Sequence, residues 1–163
     1  MEQTNVDQSV VTAYQNATDN DVRVFVEDVL AGRERLNYVT VAFLPDQAAK
    51  RIKELTGKDV TEYRVVLDIN AVRHIANRHG ANGEQDHSLS NLDDVARMGY
   101  VIMHYDTITF DGTFTTGYLD KEGKPSPLVR ISKRINGTYY VVEAASTSKH
   151  KRNHIVSAYI SKA

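Results

Sequence analysis

The sequence has 163 residues, of which 41% are hydrophobic, and this length and composition are typical of one domain with a single core. It contains no cysteine, which excludes disulfides, thiolate metal ligands and a cysteine nucleophile. The net charge of −1 argues against an obligate nucleic-acid-binding protein.

The charge is distributed unevenly along the chain. Residues 121–163 carry nine Lys or Arg against two Glu, a net charge of +7, whereas residues 1–120 have a net charge of −8. A local positive field of this kind attracts a phosphate backbone. The alternative is a chance asymmetry that contacts between the two parts neutralise.

Neither a membrane span nor a targeting segment is evident. No run of eighteen apolar residues occurs, and the N-terminal MEQTNVDQ lacks the basic start and apolar core of a signal peptide. We therefore expect a soluble protein that does not contact a membrane.

The first half of the chain predicts alternating helices and strands. Residues 1–18 are polar and predict a flexible or docking tail. The elements that follow are a helix over 21–32 capped by Asp19 or Asn20, a strand over 37–44, a helix from Pro45 to Gly57, and a strand over 64–69.

The next helix, DINAVRHIANRHG, contains the clearest cluster of reactive side chains. His74 and Arg78 are four residues apart and share a face, whereas His79 points elsewhere unless the last turn is distorted. The C-terminal end of a helix also stabilises a cationic ring at His79. Both histidines could instead be ordinary surface or capping residues. The predicted limits of the helix are a cap at Asp68 or Asn70 and a stop at Gly80.

Short elements are predicted between this helix and the C-terminal third. They are a helix over 91–98 capped by Ser90, a strand over 100–106, and two short strands on either side of the hairpin signal Asp111-Gly112. A basic turn that includes Lys149 precedes the last strand. Helices followed by a run of strands predict an α+β fold, with N-terminal helices packed on a C-terminal antiparallel β-sheet.

The C-terminal third is organised by the pair Asn136-Gly137, which predicts a two-residue hairpin turn with Ile135 opposite Thr138. Counting outward from this turn divides the side chains between two faces. The open face is predicted to carry Arg130, Ser132, Arg134, Tyr139, Val141 and Glu143, joined by Ser157 and Tyr159 from the last strand. The core face is predicted to carry Val129, Ile131, Lys133, Tyr140, Val142 and Ala144, joined by Val156, Ala158 and Ile160.

The chemistry available to this open face needs no metal ion. The six histidines have no zinc-ligand spacing, and P-loop, GxGxxG and GxSxG motifs are missing from the sequence. RNA supplies its own nucleophile, the 2′-hydroxyl, so cleavage requires a base, an acid and cations over the phosphate. Imidazole suits the first two roles and guanidinium the third. The alternative is a solvated face on which Arg130 and Glu143 form an ordinary ion pair.

The segments HIANRHG, ISKRINGTYYVVEAAS and IVSAYISK resemble the phage-associated nuclease domains of the barnase, EndoU, colicin and RelE-like group. The resemblance covers residues 64–162. It implies a metal-independent ribonuclease domain with the fold of that group, without a cofactor, of the kind found in toxins and in phage proteins. The implied location is the cytoplasm or a phage particle.

Carried over to this sequence, the resemblance points to His74, His79, Lys133, Glu143, Ser157 and Tyr159. Register counting places Lys133 on the core face, where we expect it to extend to the edge. We therefore prefer Arg130 and Arg134 as phosphate contacts, with Arg78 and Lys149 as further substrate contacts. His79 or Glu143 would be the base, and His74 or His79 the acid.

The expected partners follow from the same resemblance. RNA, with transfer RNA as one candidate, is the expected substrate, and a cognate immunity protein or a phage structural protein is an expected protein partner. One alternative is a catalytically silent module of the same fold that binds RNA or protein. The other is an unrelated enzyme or structural protein whose open face contacts another chain.

Overall fold

The computed structural model describes residues 18–33, 35–146 and 150–162. Lys149 and residues 1–17 of the predicted tail therefore lie outside the described residues. The helices are α1 (Asp19–Leu30), α2 (Asp46–Thr56), α3 (Ile69–His79), α4 (Leu92–Val95) and α5 (Met98–Met103). The strands are β1 (Tyr38–Phe43), β2 (Arg64–Asp68), β3 (Thr107–Thr109), β4 (Phe114–Leu119), β5 (Pro125–Arg134), β6 (Thr138–Ala144) and β7 (Arg152–Ser161).

The strands form one sheet in the order β1-β2-β7-β6-β5-β3, and β4 also pairs with β5. The C-terminal meander β5-β6-β7 is antiparallel, as predicted. β2 runs parallel to β7, which joins the first half of the chain to the meander and makes the sheet mixed. The helices pack with apolar residues of one face of the sheet in a common core. The predicted α+β fold is confirmed.

The helix limits follow local sequence signals. α1 begins at Asp19 and is capped by Thr18, one residue before the nearer predicted cap, because Thr18 and Asp21 form a reciprocal capping box. α2 ends at Gly57, which adopts the left-handed conformation with φ 77°. α3 is capped by Asp68, whose side chain accepts a hydrogen bond from the backbone N–H of Ala71 at 2.8 Å. The described residues contain no helix that is long and apolar enough to cross a membrane.

The β5–β6 hairpin differs from the prediction by one residue. Arg134 pairs with Thr138, so the connection has three residues, 135–137, with Asn136 at φ 48° and Gly137 at φ 112°. A shift of one residue moves every side chain of β6 to the opposite face. It buries Tyr139, whose hydroxyl donates a hydrogen bond to the backbone carbonyl of Asp94 at 2.7 Å.

A β-bulge in β7 changes its faces as well. Val142 lies opposite Ser157 while Glu143 lies opposite Ile155, which leaves Val156 as the extra residue. Ser157 keeps its predicted place on the open face, as does Tyr159. The bulge adds His154 to that face and moves Ile155 into the core.

Two predictions for the middle of the chain are wrong. The expected strand over 100–106 is largely helix α5, because Met98, Val101 and Ile102 are buried at helical spacing. The expected hairpin around Asp111-Gly112 does not form, since β3 and β4 each pair with β5 instead of with each other.

Candidate active site

Helix α3 lies alongside β7 at the edge of the β5-β6-β7 meander. Its cap, Asp68, is hydrogen-bonded to His154 at one end of β7, and its last residue, His79, stacks on Tyr159 nearer the other end. β2 pairs with β7 only as far as His154, so α3 flanks the strand beyond that point. The helix thus brings an imidazole to the open face from the edge of the sheet.

His79 is buried and is held in one orientation by two contacts. Its side chain is buried, with the residue 4% exposed, and its ring lies 5.3 Å from the Tyr159 ring at an interplanar angle of 28°. Its Nδ1 is 3.0 Å from Oδ2 of Asp86. A hydrogen bond from Nδ1 to the carboxylate leaves Nε2 as the nitrogen able to transfer a proton.

The loop after α3 holds Asp86 against His79. The backbone N–H of Asp86 donates to the carbonyl of Arg78 at 3.0 Å, so the loop folds back over the helix end. Burial opposes ionisation of Asp86, but hydrogen bonds from Ser88 and His79 outweigh it and lower the pKa of this carboxyl. The sequence did not predict Asp86 as a site residue. The one indication in the sequence is that Asp86 belongs to a polar loop that follows His79.

Tyr159 links His79 to a guanidinium group. Its ring stacks on Tyr140 at 5.0 Å, and its hydroxyl accepts a hydrogen bond from Arg130, which raises the pKa of Arg130. Nη1 of Arg130 also lies 3.0 Å from Oδ2 of Asp111. Arg130, Ser157 and Tyr159 thus share the open face, as the register predicted.

Glu143 is the main correction to the predicted site. The one-residue shift of the hairpin places it opposite Val129 on the core face, where it is 0% exposed. Burial raises the pKa of Glu143 to about 8, and the neighbouring Asn153 opposes part of the rise. Within the described ranges, neither carboxyl oxygen lies in hydrogen-bonding geometry with a partner. Glu143 does not share a face with His79, so its predicted pairing with this imidazole has no geometric basis.

Lys133 and Arg134, two other predicted cations, lie at the hairpin end of β5. Lys133 is on the core side and extends to the edge, with Nζ 3.4 Å from Oδ1 of Asp106 and 5.9 Å from the centre of the Tyr100 ring. Arg134 is exposed at the hairpin end, where it lines a surface hollow with Arg97 and Lys133. Neither side chain is brought to His79.

His74 and Arg78 are exposed on one flank of α3. The opposite flank, with Val72 and Ala76, lines a small apolar cavity of about 100 Å³ under α1. Partial burial, together with the charges of Arg78 and His79, lowers the pKa of His74. Arg78 donates a hydrogen bond from Nη2 to Oε1 of Gln85 at 3.2 Å.

A second cluster, absent from the sequence prediction, occupies the other end of α3. Nδ1 of His154 and the hydroxyl of Tyr118 both contact Oδ2 of Asp68, at 3.0 and 2.7 Å. The two rings stack at 4.5 Å. Burial opposes ionisation of Asp68, but the hydrogen bonds from His154, Ala71 and Tyr118 outweigh it and lower its pKa. Burial and the neighbouring carboxylate raise the pKa of Tyr118.

Across the described part of the chain, no three His, Asp or Glu side chains lie close enough together to hold a metal ion. In the His79 and His154 clusters, each imidazole instead contacts one aspartate and stacks on one tyrosine.

Comparison with protein families gives a match over most of the chain. The model of the family described as phage-Barnase-EndoU-ColicinE5/D-RelE like nuclease3 matches residues 44–163. The chain belongs to this nuclease family. The matched part of the nuclease contains α2 to β7, and so both histidine clusters and the whole open face. Searches among curated proteins and among solved structures gave no match.

Proposed function

We propose that this nuclease is an endoribonuclease that cleaves RNA by attack of the 2′-hydroxyl on the adjacent phosphorus, without a metal ion. The products would be a 2′,3′-cyclic phosphate and a 5′-hydroxyl. The observation that carries the proposal is the chain of contacts from Asp86 through His79 and Tyr159 to Arg130. It joins a proton-transfer group to a phosphate-binding cation on one face, within a nuclease family.

In this proposal Arg130 and the Tyr159 hydroxyl bind the reacting phosphate. A guanidinium group matches two phosphate oxygens and stabilises the charge that develops on them. Arg130 is paired with the exposed Asp111, so RNA has to displace this carboxylate. Lys133, Arg134, Arg78 and Lys149 then serve as contacts to more distant parts of the RNA backbone.

His79 transfers a proton through Nε2 while Asp86 holds the other ring nitrogen. Each general acid or base contributes about 10²–10⁴-fold to such a reaction. The reaction needs a second proton-transfer group, because one proton leaves the 2′-hydroxyl and another joins the departing 5′-oxygen. His74 is one candidate, since its lowered pKa keeps its ring neutral and able to accept a proton.

The test is cleavage of transfer RNA in EDTA by the full chain and by two single variants. We expect the wild type to cut and His79→Ala to lose at least 100-fold in kcat/KM. His87→Ala, an exposed histidine eight residues further on, is the matched control and should cut as well as the wild type. Cleavage that appears only with added metal, or that survives loss of His79, would contradict the proposal.

A toxin role and a cognate inhibitor belong to the same proposal. An inhibitor that blocks the open face would need acidic groups to replace Asp111 at Arg130. Expression of the wild type should then arrest cell growth, whereas expression of His79→Ala should not. If both proteins bind RNA equally and neither cuts it, the domain is a binding module.

A further inference from the structure

The two histidine clusters have the same construction. His79 and His154 each present Nδ1 to an aspartate and each stack on a tyrosine, at opposite ends of α3. In each case Nε2 is the nitrogen left for proton transfer.

The strand register places these clusters on either side of Arg130. Arg130, Val142 and Ser157 form one row across β5, β6 and β7. The row on one side contains Tyr140 and Tyr159, on which His79 stacks, and the row on the other side contains Ala144 and His154. Neighbouring rows on one face of a sheet are about 7 Å apart. A phosphate bound by Arg130 would therefore lie between the two imidazoles.

His74 cannot take this place opposite His79. Both residues belong to α3 and approach the face from the same edge of the sheet, whereas the attacking and leaving oxygens lie on opposite sides of the phosphorus. His154 belongs to β7 itself and lies on the far side of the Arg130 row.

We propose that His154 is the second catalytic residue and acts as the base, with His79 as the acid; this inference rests on the proposed function. His154 Nε2 takes the proton of the 2′-hydroxyl as the 2′-oxygen bonds to phosphorus. The bond from phosphorus to the 5′-oxygen breaks, and that oxygen receives the proton of His79 Nε2. His154 lies beside the N-terminal end of α3 and His79 is the last residue of that helix, so the two imidazoles reach the bound phosphate from opposite ends of the helix.

Tyr118 and Asp68 are positioning residues in this scheme. Asp68 orients the His154 ring through Nδ1 and also caps α3, while Tyr118 donates to the same carboxylate and stacks on the ring. Tyr118→Phe removes one hydrogen bond and retains the stacking. We expect it to lower kcat less than tenfold.

The test has two parts: KM and the melting temperature separate a catalytic from a structural histidine, and the leaving group separates the base from the acid. His154→Asn keeps an N–H donor for Asp68 and should lower kcat on RNA at least 100-fold, with KM within threefold and the melting temperature unchanged. A second substrate carries sulfur in place of the bridging 5′-oxygen, so its leaving group needs no proton. On this substrate His79→Ala should recover to within tenfold of the wild type, whereas His154→Asn should remain at least 100-fold impaired.

Other outcomes overturn the inference in distinguishable ways. If His154→Asn retains kcat while His79→Ala has lost it, the inference fails and the proposed function stands. If sulfur rescues His154→Asn and not His79→Ala, the base assignment is wrong. A wild type that does not cut RNA would remove the proposed function itself. If His154→Asn is unstable, His154→Gly should regain activity with free imidazole, and failure to do so counts against the base role.

Discussion

At the scale of single residues, the role that we propose for His79 depends on the carboxylate that contacts its Nδ1. Asp86 is ionised and accepts a hydrogen bond from Nδ1, so Nε2 is the nitrogen left for the proposed proton transfer. The same stacking on Tyr159 would hold the ring in either tautomer. In the proposed reaction, Asp86 therefore decides which nitrogen of His79 transfers the proton.

We expect Asp86→Asn to lower kcat by roughly 10²–10⁴-fold, because a neutral amide no longer stabilises the protonated ring that would give its Nε2 proton to the leaving oxygen. Glu84→Gln, in the same loop and exposed, is the control and should leave kcat unchanged. Steady-state kinetics on RNA measures both. An Asp86→Asn enzyme within threefold of the wild type would show that Asp86 does not act through His79.

The buried Glu143 leads to a prediction about stability and pH. Its pKa rises from 4.5 to about 8 on folding, so between these values the folded protein binds a proton that the unfolded chain does not. The free energy of unfolding therefore falls as pH rises through this range, by about 1.4 kcal/mol per pH unit from this group. Glu143→Gln should remove that slope.

Urea unfolding at pH 5 and pH 8 measures the effect. The free energy of unfolding of Glu143→Gln, relative to that of the wild type, should be higher at pH 8 than at pH 5. Parallel pH profiles for the two proteins would mean that Glu143 is solvated or paired in the folded state.

At the scale of elements, the three-residue connection between β5 and β6 determines which side chains share the open face. Gly137 has φ 112°, and a Cβ added there would lie 2.6 Å from the backbone carbonyl oxygen of Ser161. Both the conformation and the space require glycine. The connection is thereby tied to the end of β7, which carries Tyr159.

Gly137→Ala should lower the free energy of unfolding by about 1–3 kcal/mol and also lower kcat, because the strand register is disturbed. Gly123→Ala is the matched control. It shares a positive φ of 78°, but among the described residues no atom lies within 4 Å of the added Cβ. Equal losses of stability in the two variants would contradict the close approach at Gly137.

Most elements could be predicted from local sequence, and the errors have specific physical causes. Asn136-Gly137 marked the hairpin correctly, but a turn signal does not distinguish a two-residue from a three-residue connection. Because of this one-residue difference, Glu143 lies on the core face instead of the open face, and Tyr140 lies on the open face instead of the core face. The strand predicted over 100–106 failed because short apolar runs suit a helix or a strand equally.

At the scale of the whole molecule, the site is assembled from distant segments. His154 and Asp68 are 86 residues apart, and the parallel pairing of β2 with β7 brings them together. Tyr118 reaches the same carboxylate from β4. No local pattern reports such pairings, so the sequence could indicate His79, Ser157 and Tyr159 but not the His154 cluster or Asp86.

The positive charge of the C-terminal part is partly neutralised in the folded protein. Arg130 is paired with Asp111, and Lys133 with Asp106. Asp111→Asn should therefore lower KM for RNA several-fold at low salt. The difference in KM between the variant and the wild type should become smaller as salt screens the exposed charges. Measurement of KM at two salt concentrations tests this. An unchanged KM at low salt would mean that RNA does not bind at Arg130.

The central claim is that the open face cleaves RNA through the substrate's own 2′-hydroxyl. The most direct measurement uses an RNA oligonucleotide with a single 2′-deoxy residue at the mapped cleavage position, incubated with the full chain in EDTA. We predict that the unmodified RNA yields a 2′,3′-cyclic phosphate end and that the deoxy residue abolishes cleavage at that position. Cleavage that continues at the deoxy residue would contradict the account.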